Sequence, residues 1–374
     1  MSARDLLEKY SKDGCLWPIE PHTRAKHEIL QNYLKAWFPI LSTIEERIIY
    51  LDGFAGPGIY TGGEFGSPVI ALQTAVNHNL RERFREIIFI FIEKDTRRAE
   101  ILEQVLKKQF PNLPENIKYE ILGAEFASTI EKALDEIEKQ GARLAPTFAF
   151  LDPFGFTGFP MNLVGRMMNY DKCEVLITFM AGFMRRFLDE YREPALNALF
   201  ATEEWKKARD IKDPNQRLRF LLDLYERQLR NVGGARYVRS FGMIGANNQV
   251  IYYLVYGTKH LRGLEVMKEA MFKVDRRGTY TFSDLTDVNQ TYLIDYSKET
   301  HWVPGAGEMV YNKFRGKTVT ECEIHKFVIL ETPFVYRKSI LKQLESCKPP
   351  KIIDVTNRRR KFSYPEKCHI TFSR

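Results

Sequence analysis

Residues 47–68 read R-I-I-Y-L-D-G-F-A-G-P-G-I-Y-T-G-G-E-F-G-S-P. The apolar run 48–51 predicts a buried parallel strand, because a strand covered on both faces is apolar throughout rather than alternating. The run ends in Asp52 and a loop rich in Gly and Pro. Ser67-Pro68 then predicts a helix start, with Ser as N-cap and Pro in the first helical position. In open α/β sheets, ligands bind at the carboxyl ends of strands, where small residues let them approach the backbone. The loop from Asp52 to Gly58 is therefore the first place to look for a site.

Outward from this stretch the same grammar repeats. Residues 87–92 read as the next buried strand, ending at Glu93, and 118–122 as a third, leading to Gly123-Ala124-Glu125. Residues 147–151 are the fourth, closing on Asp152-Pro153-Phe154-Gly155-Phe156, and 174–180 the fifth. Helices are predicted between them over 68–79, 96–110 and up to 140. Strands alternating with helices at this spacing mean βαβ units and a mainly parallel sheet. Upstream, Ile29, Leu30, Tyr33, Leu34 and Trp37 share one face of a predicted helix whose first turns carry His22, Lys26, His27 and Glu28. That helix start is either a solvated surface or a wall presenting Lys26 and His27 to the site. Residues 183–235, rich in Arg and Leu, read as a helical insertion. Residues 236–244 and 249–257, separated by Gly245-Ala246-Asn247-Asn248, predict a hairpin forming an antiparallel sheet edge. A helix over 259–274 closes a first domain of residues 1–275.

Charge marks a second region. The chain of 374 residues carries a net charge of +8, and all of that surplus falls within 337–374, which holds 11 Lys or Arg and 3 Asp or Glu. A basic excess confined to one segment suggests a polyanion-binding module on a charge-balanced body. Residues 276–308 read as a polar linker. Beyond them, helices at 309–314, 320–330 (with Thr320 as N-cap) and 335–346 precede strands at 351–355 and 369–372. These strands flank Asn357-Arg358-Arg359-Arg360-Lys361. Helices followed by a basic hairpin describe a winged helix-turn-helix domain over 309–374, with Arg358, Arg359, Arg360 and Lys361 touching phosphates.

The composition excludes several classes. No run approaches the ~18 apolar residues of a membrane span, and residues 1–10 do not read as a signal peptide. Cys15, Cys173, Cys322, Cys347 and Cys368 form no C-x-x-C pair, which argues against a disulfide framework or zinc ribbon and fits a reducing cytoplasm. Cys322, Cys347 and Cys368 with His325 or His369 are too widely spaced to read as a metal site.

The chemistry is carried by the strand ends. An acidic residue after the second strand, Glu93, beyond a Gly-rich loop on the first, is placed to accept hydrogen bonds from ribose hydroxyls. Nicotinamide and S-adenosylmethionine enzymes share that feature. Here no G-x-G-x-x-G opens a helix directly after the strand, so pyrophosphate has no tight helix N-terminus to sit on. That favours S-adenosylmethionine as the cofactor. Asp152-Pro153-Phe154-Gly155 resembles the Asp-Pro-Pro-aromatic motif of amino-methyltransferases, in which the carboxylate orients an acceptor nitrogen and the ring stacks on the target base.

Four blocks together carry a family resemblance. They are His22-Thr23-x-x-Lys26-His27-x-Ile29-Leu30-x-x-Tyr33-Leu34-x-x-Trp37; Tyr50-Leu51-Asp52-Gly53-Phe54-Ala55-Gly56-Pro57-Gly58-x-Tyr60 with Gly63-Glu64-x-Gly66-Ser67-Pro68; Leu151-Asp152-Pro153-Phe154-Gly155; and Thr258-Lys259-His260. This pattern, over most of the first 275 residues, resembles the three-Cys-motif partner proteins (TcmP). The resemblance implies a Rossmann-like methyltransferase fold and a radical S-adenosylmethionine partner bearing a three-cysteine motif, which this chain itself lacks. Phe154 and Gly155 stand where base methylases carry a second proline and then tyrosine. The expectation is a cytoplasmic S-adenosylmethionine-dependent methyltransferase acting on nucleic acid beside that partner. Phe54, Ala55, Gly56, Pro57 and Gly58 would lie against the methionine part, Asp52 near its amino group, Glu93 on the ribose and Glu125 near the adenine. Asp152, Pro153 and Phe154 would face the acceptor, with Lys26, His27 or Lys259-His260 at the mouth. Two alternatives stand beside it. One is a non-catalytic nucleic-acid-binding adaptor for the partner; the other is a nuclease or repair enzyme using Asp52, Glu93 and Asp152 as magnesium ligands.

Overall fold

The structure, a computed structural model, describes residues 14–184, 188–275, 277–285 and 298–374. Its centre is β1 (Arg47–Asp52), which pairs in parallel on one side with β2 (Glu86–Ile92) and on the other with β4 (Thr147–Leu151). β3 (Ile117–Leu122) extends the β2 side and β5 (Glu174–Phe179) the β4 side, both in parallel. All five residues of β4 and all six of β5 are buried, which is why both are mostly apolar, with Thr147, Glu174 and Thr178 the exceptions. β7 (Val250–Thr258) then pairs antiparallel with β5, and β6 (Tyr237–Ile244) antiparallel with β7. A short strand, β8 (Thr281–Ser283), completes the order β3-β2-β1-β4-β5-β7-β6-β8. This is a mixed α/β architecture around a large, mostly parallel sheet, consistent with the Rossmann-like expectation.

The order matters for function. The chain builds outward through β1, β2 and β3, then returns to lay β4 against the other side of β1. The switch point of the sheet therefore lies between β1 and β4, and in open α/β sheets the ligand crevice opens there, beyond the strand ends. Asp52 is the last residue of β1, and Asp152 directly follows β4.

Helices α1 (Pro21–Ser42), α2 (Ser67–Val76), α3 (Thr96–Gln109), α4 (Phe126–Lys139) and α5 (Met161–Met168) connect or flank these strands. Helix α1 buries Ile29, Leu30, Tyr33, Leu34 and Trp37, the stripe its spacing predicted, and Phe38 beside them. Helix α2 corrects one expectation. Gly66, not Ser67, occupies the N-cap position, and the Ser67 hydroxyl hydrogen-bonds Asp52 instead of capping the helix. The region expected as a helical insertion holds α6 (Glu193–Phe200) and α7 (Pro214–Asn231) among shorter turns. Phe200, Trp205, Leu221 and Tyr225 from it are buried in the same core cluster as β5. Helix α8 (Leu261–Val274) follows β7.

The contacts divide the chain into two compact units, Met1–Met267 with Phe282–Thr286 and Lys268–Thr281 with Asp287–Arg374. The division thus falls inside α8 rather than at residue 275. The second unit also departs from the 276–308 linker and the 309–314 helix, because α9 spans Glu299–Phe314. Pro304, Gly305 and Gly307 gave this stretch the look of a turn. A Cβ on Gly307 would lie 3.3 Å from Leu344 Cδ2 and 2.6 Å from Gln343 Oε1, so the absent side chain is what allows close helix packing there. β9 (Thr318–Thr320) is followed by α10 (Glu321–Glu331), opened by a capping box in which Thr320 and Glu323 satisfy each other's backbone N–H groups. Helix α11 (Lys338–Ser346), β10 (Ile352–Val355) and β11 (His369–Phe372) complete the unit, whose antiparallel sheet runs β10-β11-β9. The fully buried Lys268 ammonium donates to the carbonyls of Val328 (2.6 Å), Ile329 (3.0 Å) and Thr332 (2.7 Å), closing the C-terminal end of α10.

Candidate binding site at the carboxyl ends of the strands

The loop after β1 is held by backbone bonds that need its glycines. Gly56 and Gly58 adopt positive φ, +63° and +74°, which an L side chain rarely takes. The Gly66 N–H donates to the Gly58 carbonyl at 2.8 Å, folding the loop back on itself before α2 begins. Glu93, buried after β2, accepts from the Gly56 N–H at 2.9 Å and from the Asp95 N–H at 2.8 Å. Asp95 in turn caps α3, accepting from Arg97 N at 3.0 Å and Arg98 N at 3.3 Å. Glu93 therefore staples the loop of β1 to the turn after β2.

Above the switch point lies a cavity of about 170 Å³. Phe54, Ala55, Gly56, Pro57 and Gly58 line one side of it, Asp152, Pro153 and Phe154 another, and Lys26 and His27 from the start of α1 a third. Ten of the expected site residues are thus brought together. Lys26 is buried, forms an ion pair with the Asp152 carboxylate, and lies 5.1 Å from the centroid of the Tyr252 ring. It is a wall of the cavity, not a solvent-facing contact. His27 is buried beside it and stays neutral, its pKa lowered to about 3 by desolvation and then by the Lys26 charge, against the pull of Asp152.

Asp52, Glu93 and Glu125 do not line the cavity. Asp52 is fully buried beneath it; desolvation, opposed by the Ser67 hydroxyl and reinforced by the Asp152 charge, raises its pKa to about 7. Glu125 sits at the N-cap position of α4 without capping it, its side chain 48% exposed and 4.0 Å from Lys94. Lys259 and His260 lie at the other end of the sheet. There the Lys259 ammonium donates to Tyr170 O at 3.4 Å and His260 contacts Asp171 at 3.1 Å. They do not join the mouth of this cavity.

Several residues here carried no signal in the sequence. Trp17 packs edge-on against Phe154, with centroids 5.2 Å apart, and against Tyr60 at 6.0 Å. The Arg98 guanidinium lies 5.1 Å from the Trp17 ring and 5.9 Å from that of Phe154. Phe154 remains 73% exposed, so it is an aromatic face at the rim and not a core residue. Thr178, near the end of β5, is 1% exposed and lines the cavity, and its hydroxyl has no hydrogen-bond partner. His22 Nδ1 contacts Asp284 at 2.8 Å, and Tyr252 donates to the His22 carbonyl at 3.2 Å. A Trp before a proline and a Thr within a mostly apolar strand are ordinary in sequence; only the fold brings them to one cavity.

In the second unit, Arg359, Arg360 and Lys361 are exposed between β10 and β11. Arg358 differs from them. It pairs with Glu345 at 2.7 Å, and Tyr364 donates to the same carboxylate at 2.5 Å. All five cysteines are free, and among the described residues no group of three or more His, Cys, Asp or Glu is arranged to hold a metal ion. Nor, among the described residues, is any helix long and apolar enough to cross a membrane. No protein-family model matches the chain, and no curated protein matches it.

Proposed function

We propose that the chain is an S-adenosylmethionine-dependent, methyltransferase-like protein of the three-Cys-motif partner type that acts on nucleic acid beside a radical S-adenosylmethionine protein. One observation carries this reading. The glycine loop after β1 and the Asp152-Pro153-Phe154 motif after β4 line a single cavity at the switch point of the sheet. The antiparallel β6–β7 edge also fits, since it departs from the six-strand order of dinucleotide folds. The Thr178 hydroxyl, buried beside the cavity without a hydrogen-bond partner, would gain one from a polar ligand.

A cavity of about 170 Å³ is small beside the roughly 300–1,000 Å³ of common ligand clefts. We therefore assign it to the methionine end and the acceptor group, and the surface toward Glu93 and Glu125 to the nucleoside. Each Glu93 oxygen carries one backbone N–H and keeps a lone pair for a ribose hydroxyl. The cofactor, when bound, supplies a methyl group activated by its sulfonium. The residues do the rest. Asp152 orients the acceptor, Phe154 and Trp17 offer aromatic faces to a base, and alignment supplies much of the rate.

The second unit supports a nucleic-acid role. Its order of helix, strand, two helices and two strands, with a basic loop between β10 and β11, is compatible with a winged helix. A non-catalytic adaptor is the second reading, favoured by one specific feature: the Lys26 ammonium already occupies the Asp152 carboxylate.

Calorimetry with S-adenosylmethionine tests the cofactor. Wild type should bind it, and Glu93→Ala should bind at least tenfold more weakly; equal affinities would refute the assignment. Tritiated methyl transfer to nucleic acid, with and without the partner, separates enzyme from adaptor. In the same preparation, Arg359→Ala with Arg360→Ala should lower the salt dependence of duplex binding, by about one unit of slope for each phosphate that is no longer neutralised.

A further inference from the structure

A second cavity lies at the opposite, amino-terminal end of the parallel strands, where Glu174 begins β5. Its volume is about 190 Å³. A cavity of roughly 150 Å³ already holds a benzene ring, so this one has room for a substituted ring. Trp37, Ile40 and Leu41 from the C-terminal half of α1 and Val266 from α8 supply apolar walls, and Tyr33 and Glu174 complete the lining at the protein interior. Helix α1 therefore serves both cavities, Lys26 in one and Trp37 in the other, about 16 Å apart along the helix axis.

Two features of this cavity point to a ligand. Glu174 is buried, its carboxylate accepts from the hydroxyls of Tyr33 and of Thr258 (2.7 Å), and among the described residues no cation pairs with it. The basic residues around the cavity are already matched: Lys172 with Glu45, His260 with Asp171 at 3.1 Å, and Arg262 with Glu265 at 2.6 Å. The second feature is Trp37, 3% exposed, whose indole N–H has no acceptor. A buried carboxylate without a counter-ion and a buried donor without an acceptor each carry a desolvation cost that apolar surroundings do not remove. Close packing keeps the carboxylate in place, since a Cβ on Gly263 would come within 2.2 Å of Glu174 Oε1.

We propose that this cavity binds a small arylalkylammonium cation: an aromatic body against Ile40, Leu41 and Val266, an ammonium on Glu174 and a hydroxyl oxygen accepting from Trp37. The Tyr33 and Trp37 rings add cation–π attraction to the ammonium. The site is separate from the one at the carboxyl ends and does not depend on the cofactor assigned there.

Calorimetry on the full chain, with 4-hydroxyphenethylamine as probe, tests the proposal. Binding to wild type is expected, weakened at least tenfold by Glu174→Gln. Trp37→Phe should weaken the hydroxylated amine several-fold and leave phenethylamine unchanged, because only the former offers an acceptor. Leu41→Trp fills the cavity from a half-buried position without touching Glu174, and should abolish binding of both amines even where a Glu174 variant fails to fold. The proposal is overturned if neither amine binds at millimolar concentration, if 4-hydroxyphenylacetate binds more tightly than the amine, or if folded Glu174→Gln or Leu41→Trp binds as wild type does.

Discussion

The two ends of the parallel sheet bury acidic groups in opposite ways. At the carboxyl ends, Asp152 is matched by the Lys26 ammonium, Asp52 by the Ser67 hydroxyl and Glu93 by two backbone N–H groups. At the amino end, Glu174 has only hydroxyls, from Tyr33, Thr258 and Tyr256, and packs among apolar walls. The carboxyl end balances one of its three acids by a charge and the other two by hydrogen bonds; the amino end holds its single carboxylate by hydroxyl hydrogen bonds alone. A matched end resists losing either partner, whereas an unmatched end depends on its hydroxyl network and gains from an added cation.

The largest effect should come from breaking the matched pair. Removing one partner of a buried ion pair strands the other charge, at a cost of about 3–5 kcal/mol. Lys26 is nearly sealed, but the Asp152 side chain is 24% exposed, so Lys26→Met should cost about 3 kcal/mol in urea unfolding. Lys26→Met with Asp152→Leu should restore most of that loss, because two apolar groups need no compensation. Additive losses in the double variant would show that the two side chains act independently.

The unmatched end should give a smaller response of a different shape. Glu174→Leu removes the acceptor of the Thr258 hydroxyl and of the hydrogen-bonded Tyr33–Tyr256 pair, a buried unsatisfied hydroxyl being worth about 1–3 kcal/mol, whereas Glu174→Gln keeps an acceptor for one of them. The Leu variant should therefore lose about 2–3 kcal/mol more than the Gln variant in the same measurement. Equal losses would mean that the carboxylate charge, not the hydroxyl network, is what the fold requires.

How much of this was legible follows from the same contrast. The strands over 47–52, 147–151 and 174–179 declared themselves because burial makes their interiors largely apolar. The loop after β1 declared itself because positive φ at Gly56 and Gly58 demands a residue type that stands out. The role of Glu174 was invisible. A carboxylate opening a strand looks like any surface residue until the register of β7 brings Thr258 to it and α1 brings Tyr33. Thr178 and Trp17 were hidden for the same reason, since their meaning depends on neighbours far along the chain. Helix α9 was misread in part because Pro304 and its glycines resemble a turn, and only packing against Leu344 reveals their use. Glu125, by contrast, looked like a strand-end ligand from spacing alone and proves half-exposed beside Lys94.

The smallest wild-type effect is in pH dependence, where the matched end should nearly cancel itself. Asp52 has a folded pKa near 7 against an ordinary 3.8. Between those values the folded chain holds a proton that the unfolded chain has lost, so this contribution is full below about 3.8 and disappears as pH rises through 7. His27 runs the other way, with a folded pKa near 3 against 6.5. Its contribution is full above about 6.5 and disappears as pH falls toward 3. From pH 4 to 6.5 the two slopes oppose each other, each at most about 1.4 kcal/mol per pH unit. Glu174, also raised by burial, has no opposing histidine of this kind, so the residual wild-type trend should be a loss of stability as pH increases. Urea unfolding across that range should show a steeper fall in His27→Gln and flatter profiles in both Asp52→Asn and Glu174→Gln. If Asp52→Asn and His27→Gln both follow the wild-type slope, those two groups do not titrate oppositely, and charge compensation at the carboxyl end rests on the Lys26–Asp152 pair alone.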